Sequence, residues 1–270
     1  MTRVSRTTRR LIHGAARLGH VATGTVYVLM GALAVAATID RRVHPPGPTD
    51  ALYELRATGL GAAATVIIAI GLVADTLWQT LRAWRDFDRV GTGVQGLIER
   101  GAAAFSGLLH LGLALAAARL ILGYDGPAAF ESQTRSWLGA VLSLPGGDWL
   151  IGLFAAITFV VAVVMIYRGA APRVLKRLDL AHLHGALATV ASVLGRLGLL
   201  ARGAVYALIA AFLGAAAYHH SASQAKAVGG VMRLLQYDRD GRWLLAAIAV
   251  GFLANGGVEL IRAWHRTIRA

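Results

Sequence analysis

The sequence predicts an all-α membrane protein of six transmembrane helices, arranged as three parallel two-helix repeats in a pseudo-three-fold bundle. Three observations predict this fold: an apolar composition, six long apolar segments, and residues that recur at nearly constant spacing. Of the 270 residues, 56% are hydrophobic, and the mean hydropathy is +0.58. A soluble domain of this size needs more polar surface, so the apolar excess indicates lipid as the surrounding solvent.

Six apolar segments are long enough to cross a bilayer as helices. Each covers a hydrocarbon core of ~30 Å at a rise of ~1.5 Å per residue. All six prolines lie between these segments, so each span is predicted to be an uninterrupted helix. The segments cover residues 21–39, 60–81, 101–122, 149–167, 197–218 and 243–261.

Charged residues are distributed unevenly around these segments. The net charge is +13, and Lys and Arg concentrate before the first span, in the second and fourth connections, and at the C-terminal end. Asp and Glu concentrate in the other three connections. By the positive-inside rule this pattern predicts cytoplasmic termini. Membrane topology and anionic lipid therefore explain the basic charge, and no nucleic-acid partner is expected.

Recurring residues divide the chain into three helix pairs. The tripeptide Arg-Leu-Gly at 17–19 recurs at 196–198, and Arg-Ala-Trp at 82–84 recurs at 262–264. A weaker middle copy places Arg100 and His110 at the positions of Arg17 and Tyr27. Each copy contains two spans, so all copies start on the same side of the membrane and are related by an axis along its normal. The predicted organisation is a basic N-terminus (1–20) followed by repeats 21–89, 90–178 and 179–270.

The motif at residues 196–206, Arg-Leu-Gly-Leu-Leu-Ala-Arg-Gly-Ala-Val-Tyr, resembles that of the DUF1206 family of bacterial integral membrane proteins. The family pattern is Arg-x-Gly-x-x-Ala-Arg-Gly-x-Val-Tyr. The first copy departs from it at Thr23, and the middle copy departs at Ala102, Phe105, Ser106 and His110. The resemblance implies a multi-pass protein of the bacterial inner (plasma) membrane, and it implies no particular biochemical activity.

The first helix of each repeat carries a small residue and, three residues later, a polar one. The small residues predict close helix packing, because they let backbones approach in lipid. The polar residues lie six to nine residues into their spans, or ~9–14 Å deep. They are interpreted either as packing residues with satisfied polar groups or as an axial polar ring that binds a ligand. The small residues are Gly24, Gly107 and Gly203, and the polar residues are Tyr27, His110 and Tyr206.

Ionisable and polar residues inside the spans are functional candidates, because they are costly in lipid. Asp75 and Gln79 lie on the second helix of the first repeat, and Asn255 and Glu259 occupy the equivalent positions of the third. Arg202 lies inside the first helix of the third repeat, at a depth similar to that of Asp75. We expect Asp75 and Arg202 to form a buried ion pair. A proton- or ion-coupled relay through Asp75 is the alternative.

The sequence offers little catalytic or cofactor chemistry. Cysteine is absent, which excludes disulfides, thiol nucleophiles and cysteine-ligated clusters. Among the histidines, only His110 lies deep within a predicted span, and His182 and His184 point in divergent directions if helical. The chain has no phosphate-binding loop and no zinc-protease or serine-hydrolase motif. No enzyme activity, metal or cofactor is therefore expected.

Three functions are compatible with these features. The favoured one is a helix-packing module that binds a membrane-protein partner or membrane lipid, or that acts structurally. The second is a small transporter or channel that uses an axial polar cavity. The third, a cofactor-binding membrane protein, depends on His110 alone. Amphipathic stretches at 137–144 and 231–235 also predict short interfacial helices on the outer face.

Overall fold

The fold is taken from a computed structural model that describes residues 6–85, 91, 93–124, 129–171, 174, 180 and 182–265. These residues form α-helices and one 3₁₀ turn, and they contain no strand. The elements are α1 (Arg6–Ile39), α2 (Pro48–Arg56), α3 (Gly61–Arg85), α4 (Val94–Ile121), α5 (Ala129–Leu142), α6 (Gly147–Ala170), α7 (Gly185–Tyr218), the 3₁₀ turn (Ala222–Gln224), α8 (Val228–Tyr237) and α9 (Gly241–His265).

Six of these helices, α1, α3, α4, α6, α7 and α9, are long and apolar enough to cross a membrane. This confirms the predicted class, an all-α protein with six spans. Each span is one continuous helix, since the prolines lie outside them. Helices α1 and α7 have 34 residues each, or about 51 Å, so both extend beyond the hydrocarbon core.

The six spans form an incomplete ring. Extensive contacts join them in the order α4, α3, α1, α9, α7 and α6. Helices α4 and α6, at the two ends of this series, have no comparable interface. They are the two helices of the middle repeat. The ring therefore opens within that repeat, whereas the first and third repeats are closed pairs.

Small residues explain the closed pairs. In the first repeat, Gly71 of α3 packs on α1 so closely that a Cβ atom built on it would lie 2.5 Å from the Cβ of Ala22. In the third repeat, Gly251 of α9 packs in the same way on Ala201 of α7. Only a residue without a side chain fits at either crossing. The Gly–Ala pair thus sets the distance between the two helices of each outer repeat.

Large residues explain the open pair. At the equivalent positions the middle repeat has Phe105 on α4 and Ile157 on α6. Two such side chains cannot occupy the space that Ala and Gly fill, so the helices stand apart. The aromatic rings of Phe105 and Phe154 meet across the opening, with their centroids 6.2 Å apart. The gap between α4 and α6 is therefore encoded in the sequence of the middle repeat.

A second set of glycines lies at the boundaries between repeats. Gly24, Gly107 and Gly203 each face the second helix of the neighbouring repeat, and an ideal Cβ on any of them would meet that helix within 3.2 Å. For Gly203 the nearest atoms are Cγ1 of Ile166 at 2.6 Å and the carbonyl oxygen of Ala162 at 3.1 Å. Equivalent glycines thus occupy equivalent crossings around the ring.

Three short helices, one from each repeat, cover the end of the bundle opposite the termini. Helix α8 contains the predicted stretch 231–235, and α5 contains residues 137–142 of the predicted stretch 137–144. The sequence pattern does not predict α2. Arg233 of α8 forms an ion pair with Glu131 of α5 and lies 3.8 Å from Asp50 of α2. Gln236 of α8 donates hydrogen bonds to backbone carbonyls near the end of α1. We call α2, α5, α8 and the segment 222–227 the cap.

Replacing Gly203 with Leu should destabilise the bundle, because the new side chain overlaps Ile166 at a tight crossing. Overpacking of this kind costs about 1–3 kcal/mol. The matched control is Gly214→Leu in the same helix, where nothing lies within 4 Å of an added Cβ. Thermal unfolding in detergent should show a lower midpoint for Gly203→Leu alone. Equal midpoints for both variants would mean that the crossing at Gly203 is not tight.

Candidate ligand cavity at the bundle axis

A cavity of about 420 Å³ lies on the axis of the ring, between the spans and beneath the cap. Its wall is mainly apolar and comes from all six spans, together with α2, α5 and segment 225–228. The volume lies within the ~300–1,000 Å³ typical of small-molecule sites. Apolar residues of the wall include Leu109, Leu113, Phe154, Ile209, Leu213 and Phe252.

Two layers of polar residues line the part of the cavity farthest from the cap. One layer contains Tyr27, His110 and Tyr206, and the other contains Thr23, Ser106 and Arg202. Each layer takes one residue from the equivalent position of each repeat. The pseudo-three-fold axis therefore passes through the cavity. The structure brings the three residues of the predicted axial ring to one site, and their role as a binding ring stays a prediction.

Arg202 lies between two aromatic rings. Its Cζ atom is 5.4 Å from the centroid of Tyr27 and 5.9 Å from that of Tyr206. Cation–π attraction of this kind holds a guanidinium in place. Its Nε is buried and has no hydrogen-bond partner among the described residues. No carboxylate in that part of the chain lies within ion-pair distance of Arg202.

Asp75 pairs with His110, which corrects the predicted pair of Asp75 and Arg202. Oδ2 of Asp75 lies 2.5 Å from Nδ1 of His110, and Asp75 is only 3% exposed. The prediction was wrong because similar depth fixes only the height of a residue in the membrane. Asp75 on α3 faces the adjacent α4, whereas Arg202 on α7 belongs to a helix that is not a neighbour of α3.

Glu259 is the centre of a second buried charged cluster. Its carboxylate lies 2.8 Å from Nδ1 of His20 and accepts a hydrogen bond of 2.8 Å from Arg262. His20 is 4% exposed. The sequence analysis does not identify His20 as a site residue, because its first span begins at residue 21, whereas the apolar helix of the structure begins at Arg17. Continuing the helical pattern back from residue 21 would have placed His20 on the packed face of α1.

The other two candidates of the second helices also lie away from the cavity. Gln79 donates a hydrogen bond of 3.3 Å to the hydroxyl of Ser106 and accepts one of 3.0 Å from Arg82. Asn255 is buried and packs against Gly198. Asp75, Gln79 and Glu259 thus join neighbouring repeats at two of the three boundaries. The middle repeat has Val161 and Met165 at the equivalent positions, so the third boundary lacks these polar contacts.

The cavity reaches the lipid-facing surface through the gap in the middle repeat. Three of its lining residues also have exposed side chains: Leu109 on α4 at 38%, Phe154 on α6 at 40% and Trp137 on α5 at 74%. All three border the gap between α4 and α6. Sequence reasoning did not identify this opening, although Phe105 had been recognised as a departure from the repeat motif.

Six continuous apolar helices around an axial cavity define a multi-pass membrane protein built from three helix pairs. The family model described as Domain of Unknown Function (DUF1206) matches residues 18–86, 101–171 and 197–266. The chain therefore belongs to the DUF1206 family, which confirms the resemblance of its motif.

One relative is similar over almost the whole chain. It is "Uncharacterized protein YxxB" of Bacillus subtilis (strain 168), which is 29% identical over an alignment of 268 residues that covers 98% of this chain and 95% of that protein. No solved structure matches the chain.

Substitutions of Asp75 and His110 should have non-additive effects on the stability of the protein. Removing one partner leaves the other buried and unpaired, which typically costs ~3–5 kcal/mol, and removing both relieves that penalty. Asp75→Asn and His110→Gln should each lower stability to denaturant in detergent, and the double variant should lose less than the sum. The pair Asp75→Asn and Arg202→Gln is the control, with additive losses expected. If instead the losses were additive for Asp75 with His110 and non-additive for Asp75 with Arg202, the ion pair predicted from the sequence would be supported.

Proposed function

We propose that the protein is a membrane-embedded binding protein whose axial cavity takes up a lipid-like molecule from the bilayer. The observation that carries this proposal is one apolar cavity that opens sideways between α4 and α6. The sequence had left a membrane-protein partner and membrane lipid as alternatives. The cavity favours lipid, because exposed apolar side chains border its opening.

The shape of the cavity suits one chain-like occupant. Its wall follows α7 from Arg202 to Leu213, a distance of about 16 Å at 1.5 Å per residue. The cap covers the end near Leu213 and the polar layers cover the other end. A hydrocarbon chain that moves from the bilayer into the cavity exchanges one apolar environment for another, so the hydrophobic effect provides little selectivity. The shape of the cavity and its polar contacts therefore decide which molecule binds.

A long-chain alcohol tests this function with a neutral probe. Native mass spectrometry of delipidated protein should show one tetradecanol per chain. Ile209→Trp, which fills the cavity, should abolish this adduct. Val160→Trp, which adds the same ring to an exposed position of α6, should retain it. Adduct formation that is equal in the two variants would place the alcohol on the outer surface and overturn the proposal.

The proposal includes location in the inner (plasma) membrane with cytoplasmic termini. The basic residues on the terminal side support this orientation. In that case the cap faces the outside of the cell. An impermeant thiol reagent added to intact cells should label a cysteine at the exposed Ser223 of the cap. It should not label one at His182, on the terminal side, until the cells are opened. The absence of native cysteine makes the labelling unambiguous, and reversed labelling would invert the topology.

A small transporter or channel is the second candidate. The polar layers on the axis favour it, because charged and hydroxyl groups at mid-membrane are typical of solute pathways. Vesicles that contain the protein and a trapped pH dye distinguish the two functions. Proton flux that requires the protein and disappears in Asp75→Asn would support transport. Vesicles with no such flux, together with a saturable alcohol adduct, would support binding.

A further inference from the structure

Arg202 is a cation in the cavity, and no carboxylate of the described residues lies within ion-pair distance of it. Both buried carboxylates of the spans are already paired, Asp75 with His110 and Glu259 with His20 and Arg262. The guanidinium of Arg202 faces two tyrosine rings and the cavity. Arginine stays charged in proteins, and a charge at this depth is unfavourable unless a partner compensates it.

We infer that the molecule in the cavity carries an anionic headgroup, a carboxylate or phosphate, bound by Arg202 with its hydrocarbon chain directed toward the cap. This inference rests on the proposed function and adds the chemical class of the ligand. It also fixes the ligand's direction, because the wall beyond Arg202 along α7 is apolar, with Val205, Ile209 and Leu213.

The groups around Arg202 suit an oxyanion. Its guanidinium presents donors in a planar fork that matches carboxylate and phosphate oxygens. The side chains of Thr23 and Ser106 line the cavity in the same layer, and those of Tyr27 and Tyr206 line it in the adjacent one. Each of these four carries a hydroxyl that is able to donate a hydrogen bond. The tyrosine rings also restrict the guanidinium, so less conformational freedom is lost on binding.

A second cation, Lys226, lies at the cap end of the cavity. Its Nζ atom is 5.7 Å from the centroid of Phe212, and its side chain is partly exposed. A lysine in this position keeps its ammonium group in water while its stem covers apolar surface. Lys226 therefore has a hydrated alternative to an anionic ligand, which the buried Nε of Arg202 lacks. Lys226→Gln is accordingly the matched control for Arg202→Gln.

Three probes of one chain length separate the headgroup from the chain: tetradecanoic acid, tetradecyl phosphate and tetradecanol. Affinities are measured for the full-length protein in detergent, at a pH where the acid is ionised. Wild-type protein should bind the acid or the phosphate at least ~10-fold more tightly than the alcohol, as expected for a charge-assisted hydrogen bond. Whichever anion binds more tightly identifies the source as a fatty acid or a phosphate lipid.

The variants locate the headgroup. Arg202→Gln should lose the preference for the anion, because its affinity for the anion falls much further than its affinity for the alcohol, and Lys226→Gln should keep the preference. If Arg202→Gln does not fold, Arg202→Lys replaces it. That variant keeps the charge and loses the fork, so its anion-to-alcohol ratio should fall below that of wild type.

Contrary results separate this inference from the proposed function. If wild-type protein bound the anions and the alcohol with equal affinity, the inference of an anionic headgroup would be wrong, and the proposed lipid binding would still stand. Failure of all three probes to bind would overturn the proposed function itself. A preference that persists in the Arg202 variant and disappears in Lys226→Gln would place the headgroup under the cap and overturn the assignment to Arg202.

Discussion

The distance at which the two helices of one repeat cross is the constraint on which the structure depends. Lipid provides no hydrophobic force between helices, so close packing of small residues must hold them together. Gly71 with Ala22 and Gly251 with Ala201 provide this contact in the outer repeats. The middle repeat has larger residues at the same crossing. Its helices separate, and the separation creates both the axial cavity and its opening to the bilayer.

The cap compensates for the missing contact between α4 and α6. Each short helix follows the first span of its own repeat, so the three of them meet above the axis. Arg233 joins all three through Glu131 and Asp50, and Gln236 fastens α8 to the end of α1. Because α5 belongs to the middle repeat, these contacts attach the open pair to the two closed pairs. Polar contacts outside the hydrocarbon core thus replace helix packing within it.

Repetition provides equivalent positions, and divergence gives them different chemistry. The layer that contains Arg202 holds Thr23 and Ser106 at the other two positions. Three guanidinium groups around one narrow axis would repel one another strongly in a medium of low dielectric constant. One charge with two hydroxyl groups avoids that repulsion and makes the site asymmetric. The carboxylates of the second helices lie at the repeat boundaries, where Asp75 and Glu259 each pair with a histidine of the neighbouring repeat.

The sequence by itself determined the six spans, because hydropathy and proline positions depend only on composition along the chain. It also determined the repeat equivalences, and therefore that Tyr27, His110 and Tyr206 share one layer. The tertiary structure decided which helices are neighbours and how each is rotated. That choice paired Asp75 with His110 rather than Arg202, buried His20 against Glu259, and opened the middle repeat. Depth in the membrane follows from position in the sequence, whereas direction around a helix axis is fixed only when the helices pack.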